Sequence, residues 1–297
     1  MKTLAPIALF TYNRINTLEQ CINSLKKNDL AKQSTLYIFS DGPKDISQKK
    51  NVDKVRIFVK KIKGFKKKIV IIKKKNIGLA KNIIYGVSKV LKSNNNIIVL
   101  EDDILVTKNF LRFMNSALNN YEKKKKVWHI SGWNYNISCN SKFDAYFTRG
   151  MNCWGWATWD NRWRYFQKNP EKIINGWTNK DIFKFNFNGS HNFFSQIERN
   201  LSNELNTWAV FWYAKIFQNN GLCLNPKKTL TKNIGIGKFS TNTKSVDNIF
   251  KSSYSDENFL PKKLPIKLIE NKKFLAAIRK KFLSKNKIKY YISKIFS

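Results

Sequence analysis

Four short apolar runs alternate with helically spaced segments through residues 5–121, and this alternation constrains the fold more than any other feature of the chain. The runs at residues 5–10, 36–39, 69–72 and 97–100 are continuous rather than alternating, as strands covered on both faces are. Between them, Leu18, Cys21, Ile22 and Leu25 recur at helical spacing, as do Val55, Ile57, Phe58 and Ile62. Residues 79–91 and 110–121 continue the pattern. Strand, loop and helix in repeated succession predict an α/β domain with a mostly parallel sheet and helices on both faces. In such sheets a ligand binds beyond the carboxyl ends of the strands. The polar clusters fall there: Thr11-Tyr12-Asn13-Arg14, Ser40-Asp41-Gly42 and Glu101-Asp102-Asp103.

The second half changes character. Residues 128–163 are rich in Trp, Tyr, Gly and Asn, densest at Trp154-Gly155-Trp156-Ala157-Thr158-Trp159. After about residue 241 the chain is polar and weakly patterned, and it ends in a basic stretch. The expected division is 1–127, 128–240 and a C-terminal extension at 241–297. In that extension Phe274, Leu275, Ile278 and Phe282, then Ile288, Tyr291, Ile292 and Ile295, have helical spacing among lysines. They read as a pair of basic amphipathic helices, suited either to an anionic membrane surface or to packing on the domain.

Charge matters at this point. The 297 residues carry 56 Lys+Arg against 19 Asp+Glu, a formal net charge of +37. At 42% hydrophobic the chain still buries a core. A polyanionic partner follows from the charge, whether nucleic acid, acidic membrane or phosphorylated ligand, although a Lys-, Asn- and Ile-rich composition accounts for part of the excess. No run of about 18 apolar residues predicts a membrane span, and the N-terminus reads as a strand rather than a signal peptide. The four cysteines are scattered and the two histidines are too few for a multi-histidine metal site, so a reducing, cytoplasmic setting is expected.

Glu101-Asp102-Asp103 is the sharpest chemical signal. Three consecutive acids repel one another unless a cation offsets them, and hard oxygen ligands at a strand end suit Mg²⁺ or Mn²⁺ shared with a phosphate. Helix capping by an acid of this triplet is the alternative. Asp41 accepts hydrogen bonds from a base or ribose in one reading, and forms an Asp-Gly turn in the other. Gly78 opens a helix and permits close backbone approach; Lys81 and Arg14 are placed for a diphosphate, or are surface charges. Trp154 and Trp156 either stack on sugar rings or fill a core.

In this order the motifs resemble those of family 2-type glycosyltransferases with the GT-A fold, a Rossmann-like architecture. The carriers are Ala8-Leu9-Phe10-Thr11-Tyr12-Asn13-Arg14, Ser40-Asp41-Gly42, Asn76-Ile77-Gly78-Leu79-Ala80 and Val99-Leu100-Glu101-Asp102-Asp103. The last looks like a DxD-type metal motif in the EDD form of the N-acetylglucosaminyltransferase I group. Residues 150–163 look similar to the acceptor-side segment of bacterial sugar transferases. The resemblance spans about residues 4–240 and implies a nucleoside-diphosphate sugar, with a UDP-sugar favoured. It places Thr11, Asn13 and Arg14 in the nucleotide pocket, with Lys81 and Asn82 as weaker members. Asp41 goes to the base or ribose, Glu101 and Asp102 to ribose and donor sugar, and Asp103 to the metal. It further implies inverting transfer to a glycan or lipid-linked saccharide in surface polysaccharide synthesis, at the inner face of the cell membrane. A carboxylate base is required. Glu204, one turn before the helix expected at 206–213, is chosen over Asp160 and Asp181. A basic nucleic-acid-binding protein and a sugar nucleotidyltransferase are the competing classes. The first lacks a recognition motif, the second an N-terminal Gly-rich loop.

Overall fold

In the computed structural model, residues 3–137, 139–235 and 257–295 are described, with side chains up to residue 283. Strands β1 (Ile7–Thr11), β2 (Thr35–Ser40), β3 (Lys67–Ile72) and β4 (Asn96–Glu101) form where the apolar runs lie. Helices α1 (Ile15–Lys26), α2 (Ile46–Lys61), α3 (Leu79–Leu91) and α4 (Phe110–Tyr121) follow them. The α2 helix starts earlier than its apolar spacing, because Asp45 caps it by accepting the Gln48 N–H at 3.2 Å.

A single eight-stranded sheet runs through both halves of the chain. Its later strands are β6 (Val127–Ser131), β7 (Ala145–Thr148), β8 (Trp156–Trp159) and β9 (Leu222–Pro226), and its order is β3-β2-β1-β4-β8-β6-β9-β7. The strands β3, β2, β1 and β4 are mutually parallel, as is the pair β6 and β9. Strand β8 is antiparallel to both of its neighbours, and β7 to β9. Ile7 and Leu9 point toward α1 and α2, Ala8 and Phe10 toward α3, so both faces are covered. A short ribbon pairs β5 (Ile104–Val106) with β10 (Thr231–Asn233). Helices α5 (Asp160–Trp163), α6 (Pro170–Gly176), α7 (Asn179–Phe185), α8 (Ser195–Leu201) and α9 (Ala209–Gln218) cluster between β8 and β9 in sequence.

The C-terminal reading changes in one respect. A single helix, α10 (Lys272–Ile295), stands where a pair was expected. Its residues Phe274, Leu275, Ile278 and Phe282 are buried in an aromatic core with Tyr135, Phe187 and Tyr213. Burial of this stripe is the stronger use of its apolar area, so these four residues are not a membrane face. Residues 241–256 of the expected extension, and the side chains of Ile288, Tyr291, Ile292 and Ile295, lie outside the described residues.

Candidate active site

The carboxyl ends of β1, β2 and β4 converge as their polar clusters predict. Arg14, just past β1, bridges two acids past β4: its guanidinium is 2.5 Å from Asp102 Oδ1 and 2.9 Å from Asp103 Oδ2. The Tyr12 N–H donates to the other Asp102 oxygen at 3.2 Å. One cation thus faces three carboxylates. Burial, then repulsion from Asp103 and Asp102, pushes Glu101 up to about 8. Burial likewise raises Asp102, to about 6, although Arg14 pulls the other way. Asp103 Oδ1 is buried and has no hydrogen-bond partner among the described residues. Thr11 Oγ1 and Ser40 Oγ, on register-paired residues of β1 and β2, are orphaned too, as is Asn82 Oδ1.

Three loops are laced around this cluster. Asp41 accepts the Ile77 and Gly78 N–H groups, each at 3.0 Å, one on each carboxylate oxygen. Gly78 precedes α3 with φ at 79°, a conformation that disfavours any side chain there even though the space beyond it is open. Arg56 of α2 donates to the carbonyls of Asp41 (3.3 Å) and Lys73 (2.7 Å), a tie that sequence reasoning missed because Arg56 sits inside an ordinary basic helix. Asn13 donates to Gln48 Oε1 at 2.5 Å, and the Lys44 N–H to the Tyr12 hydroxyl at 3.0 Å.

A fourth segment closes over the acids, again unforeseen. Past β10, the Ile234 N–H donates to the Asp103 carbonyl at 2.9 Å. Gly235 packs so closely that an added Cβ would lie 2.0 Å from Asp103 Oδ2. The β5–β10 pairing causes this contact, and three-residue strands leave little periodic signal.

The second half contributes Trp154 and its neighbours. The β4–β8 register, with Val99 opposite Trp156, carries residues 153–155 alongside Glu101. Burial and the nearby Glu101 raise the Cys153 thiol. His129 holds this loop: Trp212 Nε1 donates to its Nδ1 at 3.3 Å, and its Nε2 meets the Asn152 carbonyl at 3.0 Å. These partners select the neutral Nε2–H tautomer, and burial pulls the imidazole down to about 3.

Several expected residues are placed elsewhere. Trp156 is 1% exposed and stacked among His129, Trp163 and Trp208, so it is core and cannot meet a sugar. Trp154 is half-buried, edge-on to Trp133 with ring centres 4.9 Å apart. Lys81 is exposed, and its charge is felt by Lys168. Asp160 accepts from Arg164, and its N–H donates to the Asn95 carbonyl at the opposite end of β4 from Glu101. Five strand steps put it roughly 17 Å from the acids, too far for a base. Glu204 lies in the turn before α9 rather than on a helix; it is 62% exposed and paired with Arg199 at 3.4 Å. Asp181 completes a capping box with Thr178 on α7.

Fold and site define the class: an α/β protein with a buried acidic cluster at the carboxyl ends of parallel strands. Residues 7–173 match the family model described as glycosyl transferase family 2, and the chain belongs to that family. No curated protein matches the sequence. Among solved structures, TarS of S. aureus is 14% identical, with a TM-score of 0.32 over 46% of this chain and 23% of that one. Its residues 1–349 are 12% identical, at 0.41 over 76% and 59%. The mannosyltransferase PcManGT of Pyrobaculum calidifontis, in complex with GDP-Man and Mn²⁺, is 8% identical, at 0.40 over 74% and 70%.

Proposed function

We propose that this glycosyltransferase moves a sugar, with inversion, from a nucleoside-diphosphate sugar to a hydroxyl of a glycan or lipid-linked saccharide. Surface polysaccharide synthesis on the cytoplasmic side of an anionic membrane is the proposed setting. Among the described residues no helix is long and apolar enough to cross a membrane, and the four cysteines are free thiols.

The observation that carries this reading is the buried Asp103 Oδ1, unpartnered among the described residues, beside Asp102 and Glu101, with Arg14 paired to both aspartates. A divalent cation fits that donor set: a hard oxygen ligand with the remaining positions left to diphosphate and water. Asp103 would hold Mn²⁺ or Mg²⁺, which when bound offsets charge on the departing nucleoside diphosphate. Arg14, between cleft and acids, orients Asp102 and Asp103 and is placed to meet a phosphate oxygen. The Thr11 and Ser40 hydroxyls offer ligand contacts at the floor of the nucleotide pocket. Asp41 and Gly78 shape its wall, so Asp41 supports the base or ribose site through the loop it ties. Glu101 and Asp102 face the ribose and donor sugar, and Trp154 lies at the acceptor side.

The test is a thermal-shift panel of UDP-, GDP- and dTDP-sugars with and without Mn²⁺, on wild type and Asp103→Asn. A ligand that binds only the folded state raises stability. The expected result is a metal-dependent shift with one donor class that Asp103→Asn abolishes. A metal-dependent shift of full size in Asp103→Asn would refute the assignment of Asp103. Tight DNA binding with no donor shift would favour the nucleic-acid reading.

A further inference from the structure

We propose that the exposed face of α2 is the surface by which the protein docks on an anionic lipid bilayer. The inference deepens the membrane setting proposed above and rests on it for the location of the acceptor.

The inward side of α2 is ordinary: Val52, Val55 and Val59 are buried. The outward side is not. Ile46 is 85% and Ile57 is 57% exposed, the former the most exposed of the large apolar residues. Eleven residues of helix place them about 20° apart around the axis and about 16 Å apart along it, on one stripe. Lys49, Lys50, Lys54, Lys60 and Lys61 flank the stripe, all exposed. The acid on this face, Asp53, is already paired with Lys49 at 3.3 Å.

Isolated exposed isoleucines are unremarkable in a soluble protein. Two on one line, framed on both sides by ammonium groups, are matched to an interface. The isoleucines enter the acyl boundary while the lysine stems lie along it and their charges stay with the headgroups. The charge selects anionic lipid over neutral lipid. An apolar protein groove would have to desolvate five ammonium groups, and a nucleic acid would leave both isoleucines in water.

The same helix is fastened to the donor loops. Gln48 accepts from Asn13, and Arg56 holds the Asp41 and Lys73 carbonyls. Docking α2 therefore sets the cleft close to the headgroups, where a lipid-linked acceptor presents its sugar.

The experiment is co-sedimentation of the full chain with phosphatidylcholine vesicles, with and without about 30% phosphatidylglycerol, since the surface charge of the bilayer is the variable. Wild type should sediment only with the anionic vesicles. Ile46→Ser/Ile57→Ser, which keeps every lysine, should lower the partition constant about tenfold, and Lys49→Glu/Lys50→Glu/Lys54→Glu by at least as much. Lys123→Glu/Lys124→Glu/Lys125→Glu, equal in charge but in the turn between α4 and β6, should change it less than about twofold. The donor-induced thermal shift should be unchanged in all three, which separates loss of docking from failure of the glycosyltransferase reading. Wild-type partition in the isoleucine variant, equal losses in the two lysine variants, or no binding to anionic vesicles would each overturn the proposal. So would duplex DNA binding that needs the α2 lysines while vesicles are ignored.

Discussion

At Asp103 one carboxylate oxygen is committed to Arg14 and the other is buried without a partner among the described residues. Leaving a buried acceptor unsatisfied costs about 1–3 kcal/mol, a cost that the proposed cation would recover. Gly235 makes this arrangement possible, because any side chain there would strike Asp103 Oδ2. Gly235→Ala should weaken metal-dependent donor binding at least tenfold with little change in melting temperature, since the segment lies over the cleft and not in the core. Calorimetric titration of donor with Mn²⁺ would check it; unchanged affinity would show that Asp103 can move aside at no cost. Trp156 teaches the opposite lesson at this scale. An aromatic beside a glycine has the same letters whether it meets a sugar or a core, and here three aromatic neighbours enclose it.

Among the elements, the Asp41 carboxylate joins the loop after β2 to the loop after β3, beside the tie that Arg56 makes. Asp41→Ala would leave the Ile77 and Gly78 amides without their acceptor. A loss of about 2 kcal/mol in urea unfolding is expected from two such amides, one of them able to reach water. With the loop as the wall of the proposed nucleotide pocket, donor affinity should fall with it. Asp41→Asn keeps an acceptor and should recover part of both. If Asp41→Ala lowered stability but left donor binding intact, the loop would have no part in the pocket. The turn before α9 shows why Glu204 was misread: the helix begins at Ala209, with Trp208 as its N-cap, so the helical phase on which Glu204 was chosen does not exist there.

For the whole molecule, a buried column of Trp212, His129 and the Asn152 carbonyl ties together distant segments of the second half. It joins α9 through β6 to the loop beside Glu101. Its titration has a definite sign. Unfolded histidine takes a proton near 6.5, whereas folded His129 resists until about 3. The unfolded state therefore binds more protons between these values, and stability is lost as pH falls below 6.5, by about 1.4 kcal/mol per pH unit from this group. His129→Gln, which cannot titrate, should show a shallower decline between pH 6 and about 4.5. Parallel slopes for the two proteins in pH-dependent urea melts would show that other groups govern acid unfolding.

The parallel half of the sheet, its covering helices and the acids past β4 were legible in the chain, because continuous apolar runs and helical spacing are local signals. Membership of a glycosyltransferase family was legible in the order of the motifs. The antiparallel insertion of β8 between β4 and β6 was not, since its pairing joins residues about 60 apart and rests on register. Nor was the return of β10 that lays Gly235 on Asp103, or the tie from Arg56 to two loops. The sequence by itself determined the four parallel strands β1–β4, the helices that alternate with them and where their polar ends collect. Only the tertiary structure decided which acid oxygen is left open, which tryptophan is core, and which face of α2 is free to meet a partner. Those outcomes depend on contacts between distant segments, whose closure leaves no periodic trace in the chain.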